Sequence, residues 1–140
     1  MSTSQLVHVL SIKQPWATLL VHGLKTIEVR SWATRRRGNV LVHAARLPDR
    51  RPQGWEKLPK RLRGEANQVG GIVGAGNLVD CKSYRDRRSF GADRRRHHLN
   101  DPDWFEEPGL FGFVFEDLNV RPFCPCIGAV RFFTIEEPGG

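Results

Sequence analysis

The sequence has no apolar run approaching the ~20 residues that a membrane-spanning helix needs. Its first residues also lack a basic stretch followed by a sustained apolar one, so we expect no signal peptide. With 39% hydrophobic and 26% charged residues in 140, the composition is typical of one compact domain rather than of a disordered chain. We therefore expect a single domain over residues 1–140 that is cytoplasmic and makes no contact with a membrane.

Cysteine is also scarce, and an odd number of three argues against a disulfide framework. Cys124 and Cys126 flank Pro125, a spacing too tight for a usual zinc half-site, and no second Cys/His pair has matching spacing. The G-x-S-x-G motif of serine hydrolases is missing as well. We expect no metal and no cofactor, and no hydrolysis of the usual serine or cysteine type.

Acidic residues are rare in the first third of the chain. Residues 1–45 contain six Lys and Arg against Glu28 alone, and residues 46–96 contain fourteen against six acids. Residues 101–140 reverse the sign, with two Arg against eight acids, while the whole chain carries +7. Such polarity fits a surface that meets a polyanion on one side, because each neutralised phosphate releases counterions. The alternative is a solubilising surface of a protein from an Arg-rich proteome.

Residue patterns predict about six strands and one or two short helices. Residues 14–23 indicate a short helix, because Pro15 suits a first turn and Gly23 suits a C-terminal stop. Prolines in 46–68 predict a loop with a short irregular helix, and the strongly basic residues 82–104 predict a long loop. The strands are predicted at residues 6–12, 25–32, 39–45, 70–81, 110–123 and 128–136. We expect an α+β fold, a small mixed β-barrel rather than a parallel α/β sheet.

The stretch GLKTIEVRSW, residues 23–32, carries an unusual polar face. Alternation along a strand places Thr26, Glu28, Arg30 and Trp32 on one side, with Lys25 at the entrance. Glu28 and Arg30 would then be neighbours about 7 Å apart. Two interpretations stay open: a structural ion pair, or a site in which the carboxylate takes an amine of a base while the guanidinium contacts phosphate.

Five segments resemble, in order, the ASCH domain family: LSIKQPWATLLVHGLKTIEVRSW, GNVLVHAAR, GGIVGAGNLVDC, LFGFVFEDLNVRPF and GAVRFFTIE. The most specific mark is G-x-K-x-x-E-x-R, with QPW upstream and SW downstream; its residues are Gly23, Lys25, Glu28 and Arg30. The resemblance spans about residues 6–136 and implies a PUA-like β-barrel. The basic loop at 82–104 is longer or more charged than the family core requires.

The resemblance also implies a ligand, since PUA-like domains generally bind RNA or modified bases. We therefore expect a cleft that binds RNA or a modified nucleotide, in which aromatic side chains stack on bases and arginines hold phosphates. The candidate cleft residues are Gln14, Trp16, Lys25, Glu28, Arg30 and Trp32. The candidate phosphate contacts are Arg35, Arg36, Arg37, Arg94, Arg95 and Arg96.

A second hypothesis is a small hydrolase acting on a modified nucleoside or on RNA, because some ASCH-like proteins are N4-acetylcytidine amidohydrolases or ribonucleases. The amidohydrolases carry G-x-K-T-x-T-x-R at this place. Lys25 matches their catalytic Lys, whereas Glu28 stands where they have Thr, and a carboxylate cannot play the part of a hydroxyl. Enzymatic activity would use Lys25 and Glu28 as the catalytic residues. A third hypothesis is a module that binds a protein through the acidic C-terminal third.

Overall fold

A computed structural model of the chain describes residues 5–137, which form one six-stranded sheet with short helices around it. The strands are β1 (Leu6–Ile12), β2 (Ile27–Arg30), β3 (Gly38–Ala44), β4 (Gly71–Tyr84), β5 (Leu110–Pro125) and β6 (Phe132–Glu136). The helices are α1 (Trp16–Val21), α2 (Pro52–Lys57), α3 (Arg87–Ala92) and α4 (Arg94–His97), with 3-10 turns at Lys60–Leu62, Glu65–Asn67 and Pro102–Trp104. None of the helices within 5–137 has the length and apolar character needed to cross a membrane.

The strand order in the sheet is β2-β5-β4-β3-β1-β6. β1 and β3 pair in parallel, with α1 and β2 in the connection between them, and all other neighbours are antiparallel. The sheet curls into a half-barrel, which confirms the α+β, PUA-like class predicted from the sequence. Residues 5–137 contain four short α-helices, whereas one or two were expected. The predicted helix and second strand are each shorter than expected at both ends.

The main core lies between α1 and one face of the curled sheet. All six residues of α1 are buried, and they pack with Leu10 and Ile12 of β1 and with Val40 and Val42 of β3. Val9 lies on the opposite face of β1, in a smaller cluster. This alternation follows the strand period of two. The two apolar faces fix the register of β1 and so fix which side chains reach the end of the sheet.

The glycines of β4 allow other parts of the chain to lie close to the backbone of this strand. The glycines in residues 70–81 predicted such a close approach. A Cβ atom at Gly74 would lie 2.4 Å from the carbonyl oxygen of Asn119 and 2.5 Å from Cγ1 of Val21. The register of β4 against β5 also shifts three times along the pair, between residues 72 and 80. These irregularities bend the strand, and the sheet can curl around α1.

The basic segment 82–104 is not the long loop that its composition predicted. β4 continues through Tyr84, and α3 and α4 follow at once. Asp86 caps α3, its carboxylate accepting a hydrogen bond of 2.7 Å from the backbone N–H of Ser89. Each helix is too short to show an apolar period, since α3 buries only Phe90 and α4 only His97. The expected loop with a short helix at 46–68 is confirmed as α2 and two 3-10 turns.

Candidate functional site

A cleft of about 1050 Å³ lies where the ends of β1 and β3 meet β2, the start of α1 and the β5–β6 connection. Its wall carries six cations and two carboxylates: Lys13, Lys25, Arg30, Arg46, Arg51 and Arg131, with Glu28 and Asp49. Both carboxylates are ion-paired within the protein. The remaining positive charge favours an anionic ligand. Apolar side chains, among them Trp16 and Trp104, complete the wall.

Lys25 is directed into this cleft by the turn that ends α1. Gly23 has a positive φ of 74°, and the backbone N–H of Lys25 bonds to Leu19 O at 3.1 Å. The Lys25 side chain is 2% exposed. Its Nζ lies 3.3 Å from Glu28 Oε1, donates to the carbonyl oxygen of His97 at 3.1 Å, and sits 4.5 Å from the ring centroid of Trp16. Burial lowers the pKa of Lys25, and the neighbouring Glu28 carboxylate opposes that shift.

Glu28 and Arg30 share one face of β2, as strand alternation predicted. Arg30 reaches Glu28 Oε2 through Nε at 3.1 Å and Nη2 at 2.9 Å. Nη2 also donates to the backbone oxygen of Ser11 at 2.7 Å, which ties β2 to β1. One carboxylate therefore holds two cations, Lys25 and Arg30, so the group has a net positive charge beside the cleft.

A second polar group centres on Asp49, which is 6% exposed. The Nε1–H of Trp16 donates to its Oδ2 at 2.9 Å, and Arg51 donates from Nε to Oδ1 and from Nη2 to Oδ2, each at 3.0 Å. Burial alone would raise the pKa of Asp49, but the hydrogen bonds from Arg51 and Trp16 outweigh it and hold the pKa at about 2. The guanidinium carbon of Arg51 lies 3.8 Å from the ring centroid of Trp104.

Ser11 and His43 form a third polar contact in the cleft wall, directly opposite each other in the parallel β1–β3 pair. His43 Nε2 lies 2.7 Å from the carbonyl oxygen of Cys126, which can only accept, so Nε2 carries the proton. His43 Nδ1 lies 2.9 Å from the Ser11 hydroxyl oxygen. The imidazole is therefore held at both nitrogens.

Sequence reasoning missed Asp49, Arg51, Trp104 and the Ser11–His43 pair as site residues. The only sequence signal for the first group was Asp49-Arg50-Arg51 between two prolines, which marks a turn and not a ligand site. Trp104 is separated from Asp49 by more than fifty residues, and α3 and α4 form within that separation. Within residues 5–137, no group of three or more His, Cys, Asp or Glu side chains is placed to hold a metal ion.

The family model of the ASCH domain matches residues 10–123. The chain belongs to the ASCH domain family. The human and mouse proteins named activating signal cointegrator 1 are each 38% identical to this ASCH domain over 86 residues. The match covers 54% of the chain but only 14% of each of those two proteins.

Two solved structures of an ASCH protein from Zymomonas mobilis share the fold. The first superposes with a TM-score of 0.61 at 17% identity and covers 84% of this chain and 72% of that one. A point variant of the same protein gives a TM-score of 0.66 at 14% identity, covering 93% and 88%. At such identities the likeness concerns the fold alone.

Within this ASCH domain, four of the predicted cleft residues do line the cleft: Trp16, Lys25, Glu28 and Arg30. Gln14 does not line it and lies fully buried just before α1. Its Oε1 accepts from the backbone N–H of Thr18 at 2.9 Å, and its Nε2 donates to the carbonyl oxygen of Gln68 at 3.0 Å. Both ends of the amide are therefore used in structural contacts.

Trp32 is also outside the cleft wall. It packs edge-on against Phe113 and Phe132, with ring centroids 5.1 Å and 5.7 Å apart, and so contributes to the core. The predicted phosphate-binding arginines do not line the wall either. Arg35 and Arg37 are exposed and Arg36 is half-buried, while α4 presents three exposed arginines, Arg94, Arg95 and Arg96.

Proposed function

We propose that this ASCH domain binds single-stranded RNA or a nucleotide in the cleft beside Lys25, Glu28 and Arg30. The observation that carries the proposal is the combination of an excess of cations with apolar and aromatic surface in one open cleft. Phosphates bind to the cations, and bases pack on the apolar and aromatic surface. Single-stranded nucleic acids are generally held by this combination of contacts. An open cleft with this charge supports nucleotide binding over a module that only docks another protein.

The exposed arginines of α4 extend the basic surface next to β2. The backbone N–H of Thr26, at the start of β2, donates to the carbonyl oxygen of Arg96 at 2.9 Å, so α4 is fixed to this edge of the sheet. Arg94, Arg95 and Arg96 are exposed, so they are free to contact the phosphates of a strand that leaves the cleft. Contacts of this kind add affinity without reading sequence.

The test is the binding of a fluorescently labelled short single-stranded RNA, followed by anisotropy over a range of salt concentrations. We expect charge reversal of Arg94, Arg95 and Arg96 to weaken binding and to flatten the dependence on salt. Removing one phosphate-binding cation should reduce the slope of log K against log salt by about 0.7. The matched control is reversal of Lys60, Arg61 and Arg63, which are likewise exposed and outside the cleft wall but belong to a different segment from α4. An unchanged slope in the α4 variant contradicts the role of α4.

One observation favours a hydrolase as a second candidate, namely the burial of Lys25 and its lowered pKa. A lysine of this kind can act as a base or a nucleophile, with Glu28 shuttling a proton. The test is incubation of wild type and Lys25→Ala with N4-acetylcytidine and with labelled RNA. Turnover by wild type that is lost in the variant supports the hydrolase, and no turnover of either substrate removes it.

A further inference from the structure

The side chain of Arg51 occupies a position in the cleft that resembles a bound ligand. Its guanidinium is planar and lies over the indole of Trp104, 3.8 Å from the ring centroid. Two adjacent N–H groups, on Nε and Nη2, point at the two oxygens of Asp49, each at 3.0 Å. The protein thus presents a carboxylate and an aromatic face to a flat group with two neighbouring donors.

We propose that Asp49 and Trp104 form a guanine-recognition site, which the guanidinium of Arg51 fills in this structure. Guanine is flat and carries two adjacent donors, N1–H and N2–H, on its Watson–Crick edge. The neutral forms of adenine, cytosine and uracil present no such pair on one edge, so the same carboxylate discriminates against them. The inference rests on the proposed function, because it names the base that the nucleotide cleft selects.

Asp49 keeps its orientation without the side chain of Arg51. Its Oδ2 accepts from Trp16 Nε1 at 2.9 Å, and its Oδ1 accepts from the backbone N–H of Arg51 at 3.0 Å. The Asp49 backbone is also fixed, since its N–H donates to Gln14 O at 2.7 Å and its carbonyl accepts from Trp55 Nε1 at 2.7 Å. Of the hydrogen bonds that lower the pKa of Asp49, those from Trp16 and from the Arg51 backbone N–H remain when the Arg51 side chain leaves, and both favour the ionised carboxylate, which can accept two further hydrogen bonds.

Arg51 is the part of this arrangement that can leave. Its side chain is 58% exposed, whereas that of Asp49 is 7% exposed. The guanidinium returns to water when it leaves, so the exchange costs less than breaking a fully buried ion pair, provided that another pair of donors takes its place on the buried Asp49 carboxylate. A base that replaced the guanidinium would regain the stacking on Trp104 and both hydrogen bonds to Asp49. The displaced Arg51 would stay at the cleft wall, where a guanidinium suits a phosphate.

The experiment measures the affinities of GMP, AMP, CMP and UMP by tryptophan fluorescence for wild type, Arg51→Ala and the control Arg50→Ala. Arg50 is exposed, adjacent in sequence and outside the cleft wall. We expect wild type to prefer GMP, and Arg51→Ala to raise the ratio of GMP to AMP affinity by about threefold to tenfold, because the competing guanidinium is gone. Arg50→Ala should leave the ratio unchanged.

Asp49→Asn tests the carboxylate itself. Because an amide offers only one acceptor to the two guanine donors, this substitution should abolish the preference for GMP. Thermal unfolding checks that this variant folds; if it does not, wild type is titrated with 1-methyl-GMP, which lacks the N1–H donor and should bind more weakly than GMP. A GMP to AMP ratio that is unchanged in Arg51→Ala and in Asp49→Asn, or an equal affinity for GMP and 1-methyl-GMP, overturns the guanine site. RNA binding that persists under that outcome leaves the proposed function intact, whereas a wild-type protein that binds no RNA contradicts the proposed function itself.

Discussion

Glu28 is the residue on which the charge balance of the cleft depends. The residue is 7% exposed, and its carboxylate pairs with a buried Lys25 and a partly exposed Arg30 at the same time. Buried charges are costly unless they are paired, so removing one partner costs more than forming the pair contributes. The structure thus holds two cations at the cleft with a single compensating anion.

Replacing this carboxylate should therefore destabilise the protein in a way that depends on pH. We expect Glu28→Gln to lower the free energy of unfolding by about 2 to 3 kcal/mol at pH 7, because Arg30 stays partly solvated and keeps its bond to the Ser11 carbonyl. Urea unfolding measures the change in the free energy of unfolding. The control is Glu106→Gln, which replaces an exposed side chain and should change that free energy by less than about 0.5 kcal/mol.

The sign of the pH effect follows from Lys25. Burial already lowers its pKa in the folded protein, and losing the carboxylate lowers that pKa further. The unfolded chain then binds more protons than the folded one as pH rises, so the stability of Glu28→Gln increases from pH 7 towards pH 9.5. The difference in the free energy of unfolding between wild type and Glu28→Gln should therefore narrow from pH 7 to pH 9.5. A difference that stays constant contradicts the view that Glu28 compensates the Lys25 charge.

Strand alternation was sufficient to place Glu28 and Arg30 side by side, because a period of two fixes which side chains share a face. It could not place Asp49 against Trp104, or Ser11 against His43. These contacts depend on how distant segments meet, in the second case on the parallel register of β1 and β3. Nothing in the local pattern of either residue specifies that register. Gln14 shows the opposite error, since a polar residue beside a helix start turned out to be a buried structural contact.

The glycine-rich strand β4 is the element whose backbone most directly permits the curled sheet. Gly74 lies where β5 and α1 both approach, so a methyl group there has no room. We expect Gly74→Ala to destabilise the protein by about 1 to 3 kcal/mol, the usual cost of overpacking. Thermal or urea unfolding measures the change.

Gly91 of α3 is the matched control, because a Cβ at this position meets nothing within 4 Å. Gly91→Ala should be neutral or stabilise by about 0.5 to 1 kcal/mol through helix propensity and a less flexible unfolded chain. Equal effects of the two substitutions would contradict the close approach at β4.

All six strands could be predicted from alternating and β-branched residues, although β2 was expected to be twice as long as it is. The helices of the basic segment could not. Helices of four and six residues bury one side chain each, and the hydrogen bond between His97 and the Phe90 carbonyl, at 2.7 Å, joins them through contacts that no periodicity reveals. High charge therefore suggested a loop where the chain forms two helices.

At the scale of the whole molecule, the basic part of the chain and the open cleft of the fold lie in one region. The basic α4 is fixed against β2, and β2 supplies Glu28 and Arg30 to a cleft whose other cations come from several segments. The smaller apolar cluster around Val9 and Leu41 lies on the other face of the sheet. A polyanion attracted to the basic surface would therefore meet an opening with aromatic walls.

The most direct test of nucleotide binding in this cleft is a titration of the ¹⁵N-labelled protein with a short single-stranded RNA, followed by ¹H–¹⁵N correlation spectra. We expect the indole N–H signals of Trp16 and Trp104 and the backbone signals of β2 to shift together in a saturable manner. Backbone signals of Val7 and Ile135, beside the opposite cluster, should not move. Shifts confined to that opposite face, or no saturable shift at the cleft, would contradict nucleotide binding in this cleft.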